Sequence, residues 1–179
     1  RTYDEIIFIP MSSGLSNTCQ TALLLADDEP YKGRVYVVDN HRISVTQALA
    51  VLDAKSLADE GKTACEIKDI LEKEAMDATI YIAVDTLEYL KKGGRITAAA
   101  AALGTILKLK PVLTIQGDKL DSYAKARGMK SAFRVMLEAL KSDISSRLSH
   151  LREQGLLKIG IANTMMDPEK LEEFKDELR

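Results

Sequence analysis

The chain has 179 residues, 46% of them apolar, and its 25 Lys and Arg against 27 Asp and Glu leave a formal charge of −2. At ~150 residues per domain that is one full domain and part of a second, and the lack of a cationic surplus removes the electrostatic case for nucleic acid. The uncharged stretch 96–107 falls short of the ~18 apolar residues of a membrane span, and the longer one, 6–26, is broken by Ser, Asn, Thr and Gln, so no transmembrane segment is expected.

The run Ile6 to Pro10 predicts a strand, and Ser12-Ser13-Gly14 a turn after it. A helix is predicted from about Ser16, with Leu15, Cys19, Ala22, Leu23 and Ala26 on its inner face and Pro30 past its end. Val35 to Val38 reads as a parallel strand buried on both faces, with Asp39 and Asn40 at its C-terminal end. Ile43 to Glu60 predicts a mostly buried helix closed by Gly61. Thr63-x-x-Glu66 is a capping box that opens another, with Ile67, Ile70 and Leu71 inward. This βαβαα order predicts an α/β layer with a parallel sheet over 1–78.

A second α/β domain with a mixed sheet is predicted over 79–179. Ile80 to Val84 alternates as a half-buried strand, and a short helix from about Thr86 meets Gly93-Gly94. Ile96 to Leu107 reads as a helix of small residues. Val112 to Gln116, Gly117-Asp118 and Leu120 to Ala124 predict a β-hairpin. Phe133, Leu137, Leu140, Ile144, Leu148 and Leu151 mark one long helix. Leu156 to Ala162 reads as a strand, and Asp167-Pro168 as the cap and first residue of a last helix. The chain starts at Arg1 without Met and stops at Arg179 after this helix, and both ends are expected to cut through a fold.

Two segments carry chemistry. Ser12-Ser13-Gly14-Leu15-Ser16-Asn17-Thr18 lies where a strand becomes a helix. Such a junction offers unpaired backbone N–H groups and the positive end of a helix dipole. Its hydroxyls add donors without adding charge, which suits a carboxylate or phosphate, whereas a plain N-cap needs only one Ser. The G-x-S-x-G elbow of a hydrolase is absent. Of the two histidines, His41 reads as a loop residue rather than a base, and His150 falls on the polar part of the long helix. Farther on, Gly93-Gly94 permits a sharp reversal before Arg95. Arg95 and Arg127 are forks that match carboxylate and phosphate oxygens. Cys19 and Cys65 lack metal-type spacing, so no metal is expected and a reducing cytoplasm is the economical location.

The Ser-rich loop, Val38-Asp39, Leu87-Glu88-Tyr89-Leu90-Lys91-Lys92-Gly93-Gly94-Arg95-Ile96, Leu109-Lys110-Pro111-Val112-Leu113, Gly117 and Lys125-Ala126-Arg127 together resemble the DegV family of bacterial fatty-acid-binding proteins. The resemblance covers essentially the whole chain. It implies a two-domain fold that holds a long-chain fatty acid, carboxylate at the domain interface and tail in the second domain. It further implies presentation of that acid to a separate fatty acid kinase, which makes acyl-phosphate for phospholipid synthesis. By resemblance, Ser13 or its neighbour Ser12 holds the carboxylate, assisted by Gly14 and Ser16 of the same loop. Arg95 and Arg127 flank the mouth where the kinase approaches. On their apolar character, Ala98 to Ala102, Leu103, Ile106 and Leu107 are candidates to line a tail channel, the alternative for so Ala-rich a helix being close packing against a neighbour. No cofactor is implied beyond the bound acid.

The chain departs from the family at Asn17, where Gly is usual, and at Asn163-Thr164-Met165-Met166, where a His- or Gly-bearing turn often stands. By resemblance, the family's first strand and its Thr-Ser-x-Pro loop are expected to lie before Arg1. The alternative is a hydrolase or transferase of acyl or phosphate esters with Ser13 as nucleophile. It needs a base within reach of the Ser13 hydroxyl, for which the sequence offers Asp39 and His41.

Overall fold

The computed structural model describes residues 3–102, 109–115 and 119–178. The chain divides between Ala78 and Thr79 into two compact units, each with its own sheet.

The first unit runs β1 (Ile6–Phe8), α1 (Thr18–Ala26), β2 (Val35–Val37), α2 (Ser44–Asp59) and α3 (Ala64–Lys73). β1 and β2 are parallel, with Ile6 opposite Val35 and Phe8 opposite Val37. Ile7, Ile9 and Val38 pack against Ala50, Ala54 and Leu57 of α2 and Ile67 and Leu71 of α3. Ala50 and Ala54, one turn apart, make the inward face of α2 a narrow one. α2 is therefore not the mostly buried helix its apolar content suggests, and Val51 and Leu52 stand 48% and 58% exposed. α1 starts at Thr18, and it buries Cys19 while Leu23 is exposed. Three consecutive leucines, 23–25, sweep about 200° around a helix at 3.6 residues per turn, so they cannot all face inward. α3 opens on the expected box: Glu66 N–H donates to Thr63 Oγ1 at 3.3 Å and Thr63 N–H to Glu66 Oε2 at 2.9 Å. Gly61, at φ +87, ends α2, as Gly61 N–H donates to the Ala58 carbonyl and Lys62 N–H to that of Leu57. Only glycine adopts this backbone without strain.

The second unit runs β3 (Tyr81–Ala83), α4 (Glu88–Lys92), α5 (Ala98–Ala101), β4 (Leu109–Ile115), β5 (Leu120–Arg127), α6 (Met129–Ser145), α7 (Ser149–Glu153) and α8 (Pro168–Leu178). Its sheet, in the order β3-β4-β5, is antiparallel throughout. The mixed character expected of this half is confined, among the described residues, to one parallel bridge between Ile96 and Leu120. β4 and β5 pair as the sequence predicts, while the turn at Gly117-Asp118 lies outside the described residues. Val112 faces Ala124 but Leu113 faces Ser122, so Tyr123 is an extra residue on β5. Opposed residues share a face of the sheet. Ala83, Val112, Ala124 and Ala126 accordingly gather under Ala132, Val135 and Met136 of α6, while Leu113, also fully buried, belongs to the other face.

Three expectations for this half change. The long helix breaks between α6 and α7, where Ser145 Oγ donates to the Lys141 carbonyl and Ser146 Oγ to that of Ser142. These hydroxyls compete with the backbone ladder, and Leu148 N–H reaches back to the Asp143 carbonyl while its side chain is buried. The run 156–162 forms no strand: its alternation suits one, but no partner strand stands beside it among the described residues, and Leu156 and Ile159 are exposed. The small-residue helix is represented by α5 alone, and Leu103, Ile106 and Leu107 lie outside the described residues. α8 begins as predicted, with Asp167 Oδ1 accepting from Glu169 N–H at 3.0 Å.

Candidate functional site

In the first unit the loops after β1 and β2 meet at the C-terminal edge of the parallel pair, where open α/β sheets gather their binding groups. Two hydrogen bonds join them: Ser12 N–H donates to the Arg42 carbonyl at 3.0 Å, and Ser13 N–H to Asp39 Oδ1 at 3.4 Å. The Ser12 carbonyl accepts from the N–H groups of Leu15 and Ser16, which closes the turn around Gly14.

This arrangement separates the clustered hydroxyls into different roles. Ser12 is only 1% exposed, and its Oγ is buried without a hydrogen-bond partner. Ser13 and Gly14 are half-buried beside it. Ser16 Oγ accepts from Thr18 N–H at 3.3 Å and pairs with Thr18 Oγ1 at 2.9 Å, so it serves the start of α1. The amides of Ser13, Leu15, Ser16 and Thr18 are all bonded within the loop pair. Donation to an outside group thus falls on side chains more than on the helix-start amides the sequence suggests.

Asp39 is the hub behind the loop. Its own N–H donates to Glu72 Oε1 at 3.0 Å, and Glu72 is paired with Lys68, whose Nζ donates to the Val37 carbonyl at 2.9 Å. Burial, and then the Asp39 carboxylate, push the Cys19 thiol up to about 11. Cys19 is therefore a neutral core residue at physiological pH and no nucleophile. Asp39 meets Ser13 through the backbone N–H, and His41 Nδ1 lies 3.8 Å from Asp39 Oδ1. Neither contact is the base-to-hydroxyl bond of an activated serine.

Sequence reasoning passed over Asn40. It is completely buried, its Oδ1 accepts from Arg42 N–H at 3.4 Å, and its Nδ2 has no partner. The next residue, His41, holds φ +55, a left-handed conformation costing roughly 1–2 kcal/mol for a residue with a Cβ. The signal available in the sequence was a second polar residue, after Asp39, at the C-terminal end of an apolar strand. Arg42 is held by the Glu74 carbonyl at 2.6 Å, and burial lowers its pKa against the pull of Asp53, Glu74 and Asp77.

The two arginines belong to the second unit. Arg95 Nη1 donates to the Gly93 carbonyl at 2.7 Å, while Gly94 at φ +66 makes the reversal. A Cβ at Gly93 would stand 3.1 Å from Arg95 Nη1, so glycine lets the guanidinium fold over the turn. The Arg95 carbonyl accepts from Leu120 N–H at the first residue of β5, whereas Arg127 is the last residue of that strand. At ~3.3 Å per residue the two attachment points are roughly 20 Å apart. Both arginines are exposed, and the structure does not bring them together. Among the described residues, no group of His, Cys, Asp and Glu can hold a metal ion, and no helix is long and apolar enough to cross a membrane.

The family model described as "Uncharacterised protein, DegV family" matches residues 1–179. A DegV domain-containing protein of Deinococcus radiodurans is 35% identical over 142 residues, which are 79% of this chain and 50% of that protein. A Thermus thermophilus structure described as fatty acid binding of a DegV family protein superposes with a TM-score of 0.70 at 39% identity, covering 80% of this chain and 50% of that one. A DegV lipid-binding protein of Thermotoga maritima gives a TM-score of 0.65 at 32% identity, over 79% of this chain and 48% of the other. The chain spans about half the length of these relatives.

Proposed function

From its membership of the DegV family, to which this chain belongs, we propose that it serves in binding a long-chain fatty acid and presenting it to a separate fatty acid kinase. The observation that carries this reading is the buried, unpartnered Ser12 Oγ at the C-terminal edge of a parallel sheet. Ser12 and Ser13, with Gly14 shaping the turn, receive the carboxylate. The solved relatives described as fatty-acid- and lipid-binding support the ligand class.

The energetics suit such a ligand. Withdrawing about 14 methylenes from water gains roughly 0.8 kcal/mol each, about 11 kcal/mol in all, from which association takes several kcal/mol. The head group must keep its hydrogen bonds, since an unpaired polar group in an apolar site costs about 2–7 kcal/mol. Neutral hydroxyl and amide donors meet that need without burying a counter-charge.

In this reading the chain performs no bond chemistry. Asp39 bonds the Ser13 backbone rather than its hydroxyl, and a receptor needs donors only. The kinase carries out the phosphoryl transfer, which places the protein in the cytoplasm with its ATP-using partner. The exposed Arg95 and Arg127 are the cations offered to that partner. Native mass spectrometry of the purified protein tests the ligand class: a co-purifying long-chain acid is expected. Failure to find one, together with no uptake of added fatty acid, would end the proposal.

A further inference from the structure

Asn40 is completely buried, and its Nδ2 is, like Ser12 Oγ, a buried donor with no partner among the described residues. Its orientation is fixed by the neighbouring backbone. Oδ1 takes the Arg42 N–H at 3.4 Å, so exchanging oxygen and nitrogen would set an NH2 group against an N–H. The NH2 is thereby committed to another direction. The same residue that orients Asn40 also anchors Ser12, whose N–H donates to the Arg42 carbonyl at 3.0 Å. One residue of backbone thus ties down both side chains, and the left-handed His41 forms the turn between Asn40 and that anchor.

Buried amide and hydroxyl groups in native proteins are almost always hydrogen-bonded, and two orphans tethered to one residue call for a common acceptor. We propose that Asn40 Nδ2 and Ser12 Oγ form a two-donor receptor for a single carboxylate head group, with Asn40 the residue that selects an acid over an alcohol or an ester. This rests on the head-group reading above and adds to it the determinant of ligand class. An amide NH2 donates and never accepts, so it rewards an oxygen rich in lone pairs. The competing charge nearby, Asp39, has its Oδ1 engaged by the Ser13 N–H. Arg42 Nη2 donates to the Glu74 carbonyl, and Asp53, Glu74 and Asp77 surround the guanidinium, whose Nε is buried without a hydrogen-bond partner.

Asn40→Asp is the informative substitution, because it keeps the acceptor for Arg42 N–H and replaces the donor by a second oxygen. Binding of palmitic acid, hexadecanol and methyl palmitate is measured for wild type, Asn40→Asp, Asn40→Ala and Ser12→Ala, with thermal melting to confirm folding. Wild type should prefer the acid. Asn40→Ala should bind it roughly ten-fold more weakly, the size of one buried hydrogen bond to a charged group. Asn40→Asp should lose more and gain hexadecanol, whose hydroxyl donates to the new carboxylate. If Ser12→Ala weakens the acid while both Asn40 variants keep wild-type preference, Asn40 is no part of the receptor. If none of the three changes acid binding, the head-group assignment itself fails. Should Asn40→Asp not fold, the acid-to-alcohol ratio of Asn40→Ala decides.

Discussion

The Tyr81 hydroxyl donates to Asp143 Oδ2 at 2.9 Å and ties β3 to α6. Burial, then this bond to Asp143, push Tyr81 up to about 12. Burial alone would raise Asp143, but hydrogen bonds from Thr79 and Tyr81 and the Arg147 guanidinium outweigh it and leave the carboxyl below its ordinary value. A lowered acid contributes stability that is present above its unfolded pKa, near 3.9, and lost as pH falls through the folded value. A raised tyrosine contributes stability that is full below about 10 and lost as pH climbs toward 12. Tyr81→Phe should lower stability by about 2 kcal/mol near neutrality. Its melting temperature should fall less steeply than wild type's both below pH 4 and above pH 10. Parallel pH profiles for the two proteins would show that the pair is not the linkage.

The Thr63–Glu66 box gives a second pH-dependent contact. The Thr63 backbone N–H, then its hydroxyl, hold Glu66 below the ordinary glutamate value, so this support exists above about pH 4.3 and fades in acid. Thr63→Ala should cost about 1 kcal/mol at pH 7 by denaturant titration. The gap from wild type should narrow at pH 3, and an undiminished gap there would place the cost in the Glu66 N–H bond to Thr63 Oγ1 rather than in the contacts to the Glu66 carboxylate.

For the head group, Ser12→Ala should weaken fatty-acid binding by about 1–3 kcal/mol, the range for a hydrogen bond to a charged group lost from a buried site. Ser13→Ala should add to the loss in the double variant. A dissociation constant unchanged in Ser12→Ala/Ser13→Ala refutes the site.

Arg95→Ala and Arg127→Ala should bind lipid nearly as wild type but slow phosphorylation of the bound acid by the partner kinase. Their attachment points, at opposite ends of β5, are far enough apart for the two losses to be additive. Wild-type coupled turnover in both single variants removes the docking role.

The protein alone should release no product from acyl esters, acyl-coenzyme A or phosphate esters. Turnover above the solvent background that vanishes in Ser13→Ala would replace the carrier by an enzyme.

What the sequence made legible is what is decided locally. The Thr63–Glu66 box, the Asp167-Pro168 start of α8, Gly61 at the end of α2 and the pairing of β4 with β5 all follow from a few neighbouring residues. The unreadable parts depend on distant partners. Leu156 to Ala162 alternates like a strand, but a strand also needs an edge to pair with. The apolar spacing from Phe133 to Leu151 is helical throughout, while the break comes from Ser145 and Ser146 bonding backward. At the site the serine loop was legible because its residue types cluster. Asn40 was not, because its significance is a missing partner that only the folded arrangement reveals.

The extra residue on β5 bears on how the length of this strand can vary. Val112 lies opposite Ala124 and Leu113 opposite Ser122, and Tyr123, between those two partners, has no residue opposite it. A sequence lacking position 123 would keep all seven pairs and the same occupants on each face. It would lose local twist and the edge contact of Tyr123 with Tyr81, whose ring centroids are 4.8 Å apart. An alignment that closed such a gap by sliding 120–122 along by one would instead exchange buried Leu120 for exposed Asp121. Position 123 is where β5 can change in number of residues without changing partners.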